Sequence, residues 1–376
     1  MTMDRIHRDL ESRYFMPVFS RNIGLVRGRG ARVWDDEGKE YIDCVGGIAV
    51  CSTGHCHPAV VEAICRQAGE LIHCSNLYYV PGQAELARDI AEITGLPRVF
   101  LANSGAEANE AAIKLARVRT GRKKFVAFTG GFHGRTMGAL AVTYKPEIRT
   151  PFEPLEPRCT FVDPGDDAAL EKAVDDDTAA VFVEPVQGES GVHPLSRETL
   201  RTIREVCDDH GALMVDDEVQ CGMGRTGSWL AIQQSGVEPD IVSLAKGMGS
   251  GFPMGAIAAR EDLVFGPGEH GSTFGGGPLA CAAARATIGI IRELLPDIPA
   301  KAARFQERLA RHYPRVCGLM IGVPVGERCP EILSACADRG VLVNCAGGGT
   351  LRLVPPLVIS DSEIDQAASI IDDTIG

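Results

Sequence analysis

Between residues 98 and 260 one pattern recurs: a short, continuously apolar run followed by a stretch with helical periodicity. RVFLANS (98–104) leads into EANEAAIKLARVRTG, and KKFVAFTG (123–130) comes next. AAVFVEPV (179–186) precedes ETLRTIREVCDDHG (198–211), which ALMVDDEV (212–219) follows directly; DIVSLAK (240–246) and GAIAAR (255–260) complete the set. Strands that are apolar throughout must be covered on both faces, and helices between them make the sheet parallel. With right-handed crossovers, the pattern predicts an α/β/α sandwich on a mostly parallel sheet.

The ends differ. RGRGARVWDDEGKEYIDCV (27–45) has an alternating strand, a DEG turn and a second short strand, the signature of a hairpin. From 280 onward helices and short strands mix. A chain of 376 residues suits two domains. We expect a large α/β domain over 46–280 and a smaller α+β domain over 281–376, which the N-terminal segment 1–45 joins.

The formal charge of −12 excludes a broad basic face, and with it a nucleic-acid partner. Thirteen scattered cysteines, an odd count, read as reduced thiols rather than a disulfide framework. The N-terminus mixes both charges without an apolar core, and no apolar run approaches a membrane span. Those features predict a cytoplasmic protein with no membrane partner. Glycine is in excess, 43 residues against about 26 at a usage of about 7%, and clusters after apolar runs as if backbone wraps a ligand.

Three places carry chemistry. In NSGAEANEAAIKLA (103–116), Ser104 and Glu107 have capping-box spacing, and the small Gly105 and Ala106 leave free amides at a helix start. An ordinary cap or a phosphate seat both fit. In LMVDDEVQCGMGRTG (213–227), Asp217 would sit at the carboxyl edge of the sheet, where ligands gather. A solvated turn, a divalent-metal site and a partner for a protonated pyridine nitrogen all remain open there. Lys246 ends DIVSLAK and is followed by GMGSGFPMG, so it is either a surface charge or a lysine projecting into a pocket as nucleophile and proton carrier. His55, Cys56 and His57 do not complete a zinc set, and no metal is expected.

With these segments in view, the chain resembles the class III (subgroup II) aminotransferases of fold type I, which use pyridoxal 5′-phosphate. The likeness runs through GHCHPAVVEAI, HCSNLYYVPGQAELA, NSGAEANEAAIKLAR, FHGRTMGALA, VFVEPVQGESGV, DDEVQCGMGRTG, PDIVSLAKGMGSGFPMGA, GSTFGGGPLA and LRLVPPL. It implies that Lys246 carries the cofactor as a Schiff base and shuttles the proton, while Asp217 pairs with the pyridine nitrogen. Phe132 and Val219 would flank the ring, with Gln220 near its phenolic oxygen and Glu218 in the cofactor-binding set. Gly105 and Ala106 would hold the phosphate. Thr273 would reach the neighbouring subunit's phosphate, which implies a homodimer with shared active sites. For substrates, the resemblance implies carboxylate binding by Arg135 and Arg352, a gate at Glu189, and Ser272 beside the donor. Ser75, Asn76 and Tyr78 would line the entrance.

GGIAV (46–50) favours the branch that moves the terminal amine of N-acetylornithine to 2-oxoglutarate. Ornithine, succinylornithine, 4-aminobutyrate or a lysine-pathway donor are the alternatives. Departures from the family pattern are Gly277 in place of asparagine, AKGMGSG, QGESG, and a shortened stretch at 322–330. None removes a catalytic group. A nicotinamide-dependent oxidoreductase would need a glycine fingerprint after its first strand, which is not found, and a binding protein would not need Lys246.

Overall fold

Seven strands form the central sheet, in the order Arg98–Ala102, Gly255–Ala259, Ile241–Leu244, Leu213–Asp217, Thr178–Val183, Lys124–Phe128 and Cys159–Val162. All run parallel except Gly255–Ala259, which is antiparallel to both neighbours. The structure is a computed structural model that describes residues 3–376, with side chains from residue 9 onward. Met1 and Thr2, at the head of the expected N-terminal segment, lie outside the described residues.

The inner strands are apolar on both faces because both are covered. Every residue of Thr178–Val183 and Leu213–Asp217 is buried. Phe182 is fully buried, 6.1 Å from the Phe125 ring and 5.5 Å from that of His133. A buried phenylalanine contributes about 1.5–3 kcal/mol relative to exposure, so this packing also anchors the imidazole at the sheet's edge. The helix Gly105–Thr120 buries a broad face of Ala108, Ala111, Ala112, Leu115 and Ala116; small residues let it lie close to the strands.

Two strands depart from the sequence pattern. Ten residues separate Leu244 from Gly255, too few for the dozen or more of a parallel crossover, so Gly255–Ala259 returns antiparallel. Cys159–Val162 is a partly exposed edge strand of four residues, without the continuous apolar run that marks the inner ones.

Arg32–Asp35 pairs antiparallel with Glu40–Asp43 across the predicted turn, with Trp34 opposite Glu40. Glu40–Asp43 pairs in parallel with Val341–Leu342 from the far end of the chain. A second four-stranded sheet, all antiparallel, orders Arg315–Cys317, Met320–Pro324, Thr350–Leu353 and Asn344–Ala346. Eleven cysteines are free, as expected, but Cys329 and Cys345 form a disulfide with Cα atoms 6.0 Å apart. The expectation of thiols alone is corrected there: the helix Cys329–Asp338 and the strand Asn344–Ala346 bring together two positions whose spacing carries no pairing signal. Among the described residues no helix is long and apolar enough to cross a membrane.

Candidate active site

The parallel strands deliver their following residues to one edge, as open α/β sheets do. Asn103–Ala106, Phe132–Arg135, Glu184, Asp217–Gln220 and Lys246 all follow or end such strands. Because Gly255–Ala259 runs the other way, its preceding residues Phe252–Met254 reach the same edge. Together these line a cavity of about 450 Å³, within the range of small-molecule sites. A larger depression of about 910 Å³ lies at the opposite edge, where Ile241–Leu244 begins; it contains arginines and acids but no lysine.

Asp217 is 3% exposed and fully engaged. Its Oδ2 accepts from Asn109 Nδ2 at 2.7 Å and lies 2.7 Å from His133 Nδ1, while Oδ1 accepts from Val219 N at 3.0 Å. Burial pulls the His133 imidazole down, but the hydrogen bond and charge of Asp217 outweigh it and leave the ring above its ordinary value. Lys246 has a left-handed backbone, φ 42°, strain that non-glycine residues hold chiefly at functional sites. Burial pushes its ammonium below the ordinary lysine value, although Glu189, Asp217 and Glu184 oppose the shift. A lysine so placed supplies a neutral amine more readily than one in water.

Ser104 caps the helix Gly105–Thr120, its Oγ accepting from Glu107 N at 3.2 Å. The box is only half formed: Glu107 reaches past Ser104 to Asn103, whose N lies 3.0 Å and Nδ2 2.7 Å from Oε2. Gly105 has no room for a side chain, since a Cβ would lie 2.7 Å from Val219 Cγ1. The helix start therefore approaches the cavity as bare backbone amides, which attract anions.

Arg352, 1% exposed, donates from Nη1 to Glu189 Oε1 at 2.7 Å, Gly188 O at 2.9 Å and Gln220 Oε1 at 3.0 Å. Burial raises the Glu189 carboxyl, but Arg352 more than reverses this and holds it below the usual range. These two meet the cavity through Gln220. Arg135 lines it directly, its guanidinium 5.8 Å from the Phe132 ring centroid.

Other expected residues stand elsewhere. Ser272, Thr273, Ser75 and Asn76 line a separate depression of about 770 Å³. Asn103 links the two, Nδ2 lying 3.2 Å from Ser272 Oγ. Tyr78 is 69% exposed outside both. His55 Nε2 is 2.7 Å from Asp43 Oδ2, and His57 Nδ1 accepts from Ala59 N at 3.3 Å to cap a helix.

Glu218 turns away from the cavity. Its Oε1 accepts from Ile232 N at 2.8 Å and Oε2 from the Cys221 thiol at 3.1 Å, so its carboxyl serves the protein interior rather than a cofactor. Burial pushes it up to about 7, only partly opposed by those contacts. Between the ordinary value of 4.5 and about 7 the folded chain keeps a proton that the unfolded chain has released. Stability is therefore greatest below that window and falls as pH rises through it. Glu218→Gln is expected to reduce this decline, seen in urea midpoints from about pH 5 to 7.5, by on the order of 1–3 kcal/mol. An unchanged slope would mean that the proton resides on another group.

Asn109, Glu184 and Phe252 carry no role in the sequence reading. Glu184 is 5% exposed; its Oε1 accepts from Phe132 N at 2.8 Å and so fixes that ring's backbone. Burial pushes its carboxyl up to about 7, with His133 opposing and Asp217 adding. The first glutamate of EPVQGE, directly after a buried strand, is the signal that was there to find.

Residues 15–375 match the family model described as aminotransferase class-III. The chain is 54% identical over 382 residues to the acetylornithine aminotransferase of Methanopyrus kandleri, covering 98% of each chain. It is 52% identical over 374 residues to that of Methanosarcina mazei, covering 97% of this chain and 95% of the other. Among solved structures, the ornithine aminotransferase from Toxoplasma gondii ME49 superposes with a TM-score of 0.96 at 33% identity, covering 100% of this chain and 95% of that one. The N-acetylornithine aminotransferase from Stenotrophomonas maltophilia K279a gives 0.84 at 36% identity, covering 98% of both.

Proposed function

The chain belongs to the class-III aminotransferases, and from that premise we propose that it transfers the terminal amino group of N2-acetyl-L-ornithine to 2-oxoglutarate, giving N-acetylglutamate 5-semialdehyde and glutamate on the way to arginine. The observation that carries the donor is the near-complete alignment at 54% and 52% identity with two acetylornithine enzymes. The ornithine enzyme superposes well but is only 33% identical, and the fold alone does not choose between donors.

The cofactor is pyridoxal 5′-phosphate. The cavity suits it: one lysine, one buried aspartate held by three donors, and a helix start where a Cβ at Gly105 would collide. Lys246 would hold the aldehyde carbon, Asp217 the ring nitrogen, and the amides of Gly105 and Ala106 the phosphate. Phe132 and Val219 would wall the ring and Gln220 lie near its phenolic oxygen. When bound, the cofactor supplies an acceptor for the electron pair left as a C–H bond beside the amine is broken.

The protein supplies the rest. The Lys246 amine, its basicity lowered by burial, takes and returns the proton at the carbon bearing the amine. Asp217, with Asn109 and His133 on one oxygen, keeps a negative charge in a fixed place. Arg135 receives the carboxylate common to both substrates, with Ser272 beside the donor. Glu189 covers Arg352 while the donor, with one carboxylate and an acylated α-nitrogen, is bound; it moves aside for the second carboxylate of 2-oxoglutarate.

The same proposal makes the protein a cytoplasmic homodimer, with Thr273 acting in the partner's site. Thr273 lies outside the cavity of its own chain, in the depression that Leu77 also lines and next in sequence to Phe274, the two being 83% and 65% exposed. An apolar surface of that kind favours cover by a second copy. We also divide the chain into a large domain over 46–280 and a small one over 281–376 with 1–45, supported by the pairing of Glu40–Asp43 with Val341–Leu342.

Half-reactions of the reconstituted enzyme test the donor. N-acetylornithine should bleach the visible cofactor band at the lowest concentration, with 2-oxoglutarate restoring it. Ornithine and 4-aminobutyrate, which lack the acyl group, and succinylornithine, whose acyl group is longer and charged, should need about tenfold more. Preferential bleaching by one of these would replace the donor and keep the reaction class.

A further inference from the structure

We propose that Gln220 is a carboxylate-binding residue of the acceptor half-reaction, sharing with Arg352 the place that Glu189 fills in this structure. The inference rests on Arg352 being the clasp for the second carboxylate of a dicarboxylate acceptor.

The three side chains close on one atom. Glu189 Oε1 accepts from Arg352 Nη1 at 2.7 Å and from Gln220 Nε2 at 3.0 Å. Gln220 Oε1 in turn accepts from the same Nη1 at 3.0 Å. The amide's orientation is thereby fixed at both ends, its oxygen toward the guanidinium and its nitrogen toward the carboxylate. A carboxylate oxygen placed here meets two donors that already point at it.

The two donors are held by further contacts, and the acceptor is the more exposed partner. Arg352 is 1% exposed and also bonded to Gly188 O at 2.9 Å and Asn344 Oδ1 at 3.2 Å. Gln220 is 5% exposed and lies against Gly188 so closely that a Cβ there would be 1.9 Å from its Oε1. The Glu189 side chain is 29% exposed, the most accessible of the three. If Glu189 swings out, a guanidinium and an amide N–H are left without their anion in a buried place. Such a vacancy is costly for anything but another carboxylate.

Glu189 thus acts as the protein's own occupant of a two-donor carboxylate site. A donor with one carboxylate leaves that occupant in place, whereas an acceptor with two displaces it. Gln220 then discriminates in favour of the dicarboxylate, in addition to any contact it makes with the cofactor.

Binding of glutarate, an unreactive dicarboxylate, to the holoenzyme by calorimetry tests this. Arg352→Ala should abolish most of the affinity, Glu189→Ala should increase it, and Gln220→Met should weaken it roughly tenfold, the scale of one hydrogen bond to a charged group. Gln220→Asn, which keeps the amide but shortens its reach, should weaken it likewise and guards against a misfolded methionine variant. In half-reactions of both Gln220 variants, the rate constant with 2-oxoglutarate should fall about tenfold relative to that with N-acetylornithine, whatever loss the two share. Glutarate bound normally by the Gln220 variants while Arg352→Ala loses it would overturn the proposal and leave the Arg352 clasp standing. So would equal loss in both half-reactions, which would confine Gln220 to the cofactor. Normal glutarate binding by Arg352→Ala would remove the clasp itself.

Discussion

Lys246→Ala will lower transamination by about 10⁴-fold or more, the largest single effect expected in this protein. On the proposed mechanism two functions are lost with one amine. The covalent anchor goes, and with it the group that moves the proton at the reacting carbon, a contribution alone of roughly 10²–10⁴-fold. No other lysine lines the cavity to replace it. The fold should survive, because alanine at φ 42° meets the strain that lysine already bears and leaves the strand Ile241–Leu244 untouched. The variant should therefore melt near the wild type, still bind the cofactor through the helix start and Asp217, and show no visible band of a lysine-linked cofactor. A small primary amine added to the solution should restore part of the proton transfer. Transamination within about tenfold of wild type would remove Lys246 from the mechanism.

The central sheet was legible because its inner strands are buried on both faces. Thr178–Val183 and Leu213–Asp217 have no exposed side to interrupt an apolar run, so they announce themselves without any partner being known. Cys159–Val162 is an edge strand with partial exposure, and four residues leave no pattern. The reversal of Gly255–Ala259 follows from counting the residues before it, a constraint of connection rather than composition.

The site was legible where one residue type has few alternative uses beside a strand end. Lys246 and Asp217 could be placed on the same edge from the strands that precede them. Glu218 could not be separated from Asp217 by sequence, since both end the same run. Successive strand side chains face opposite ways, and that alternation sends Asp217 to the cavity and Glu218 to Ile232 and Cys221. Asn109 was hidden for a related reason. Within a helix of alanines it reads as a polar surface position, whereas it is 1% exposed and bonded to Asp217 and to the His133 carbonyl. Gln220, Glu189 and Arg352 come from three distant segments, and only tertiary packing sets their common point. The resemblance to the family supplied the pair; the amide that joins them needed coordinates.

Asp217→Asn should cost roughly 10²–10³-fold in turnover, the scale for removing one preorganised electrostatic group, and it should also loosen the folded apoprotein. The carboxylate has an acceptor at every point where a donor approaches: Asn109 Nδ2 and His133 at Oδ2, Val219 N at Oδ1. An asparagine has only one oxygen. Turned either way, its amide nitrogen replaces an acceptor, so that Val219 N or Asn109 Nδ2 loses its bond to this side chain, at a cost of about 1–3 kcal/mol. Removing the charge also removes most of what holds His133 above its ordinary value, leaving only the Glu184 charge to oppose burial, so the imidazole loses its proton more readily. The negative charge beside the ring nitrogen and the protonation of His133 thus change together with one atom. Asp217→Glu restores the charge but adds a methylene where only 3% of the residue is exposed, so it should recover little of the rate and none of the stability. Urea midpoints of the apoproteins and single-turnover rates of the holoenzymes separate the two effects. If Asp217→Asn turned over within a few-fold of wild type while its midpoint fell as expected, the aspartate would be a structural acceptor for Asn109 and His133, and the charge that keeps the ring an electron sink would have to be sought elsewhere in the cavity. Glu184, 5% exposed and close enough to both His133 and Lys246 to act on their charges, would be the first place to look.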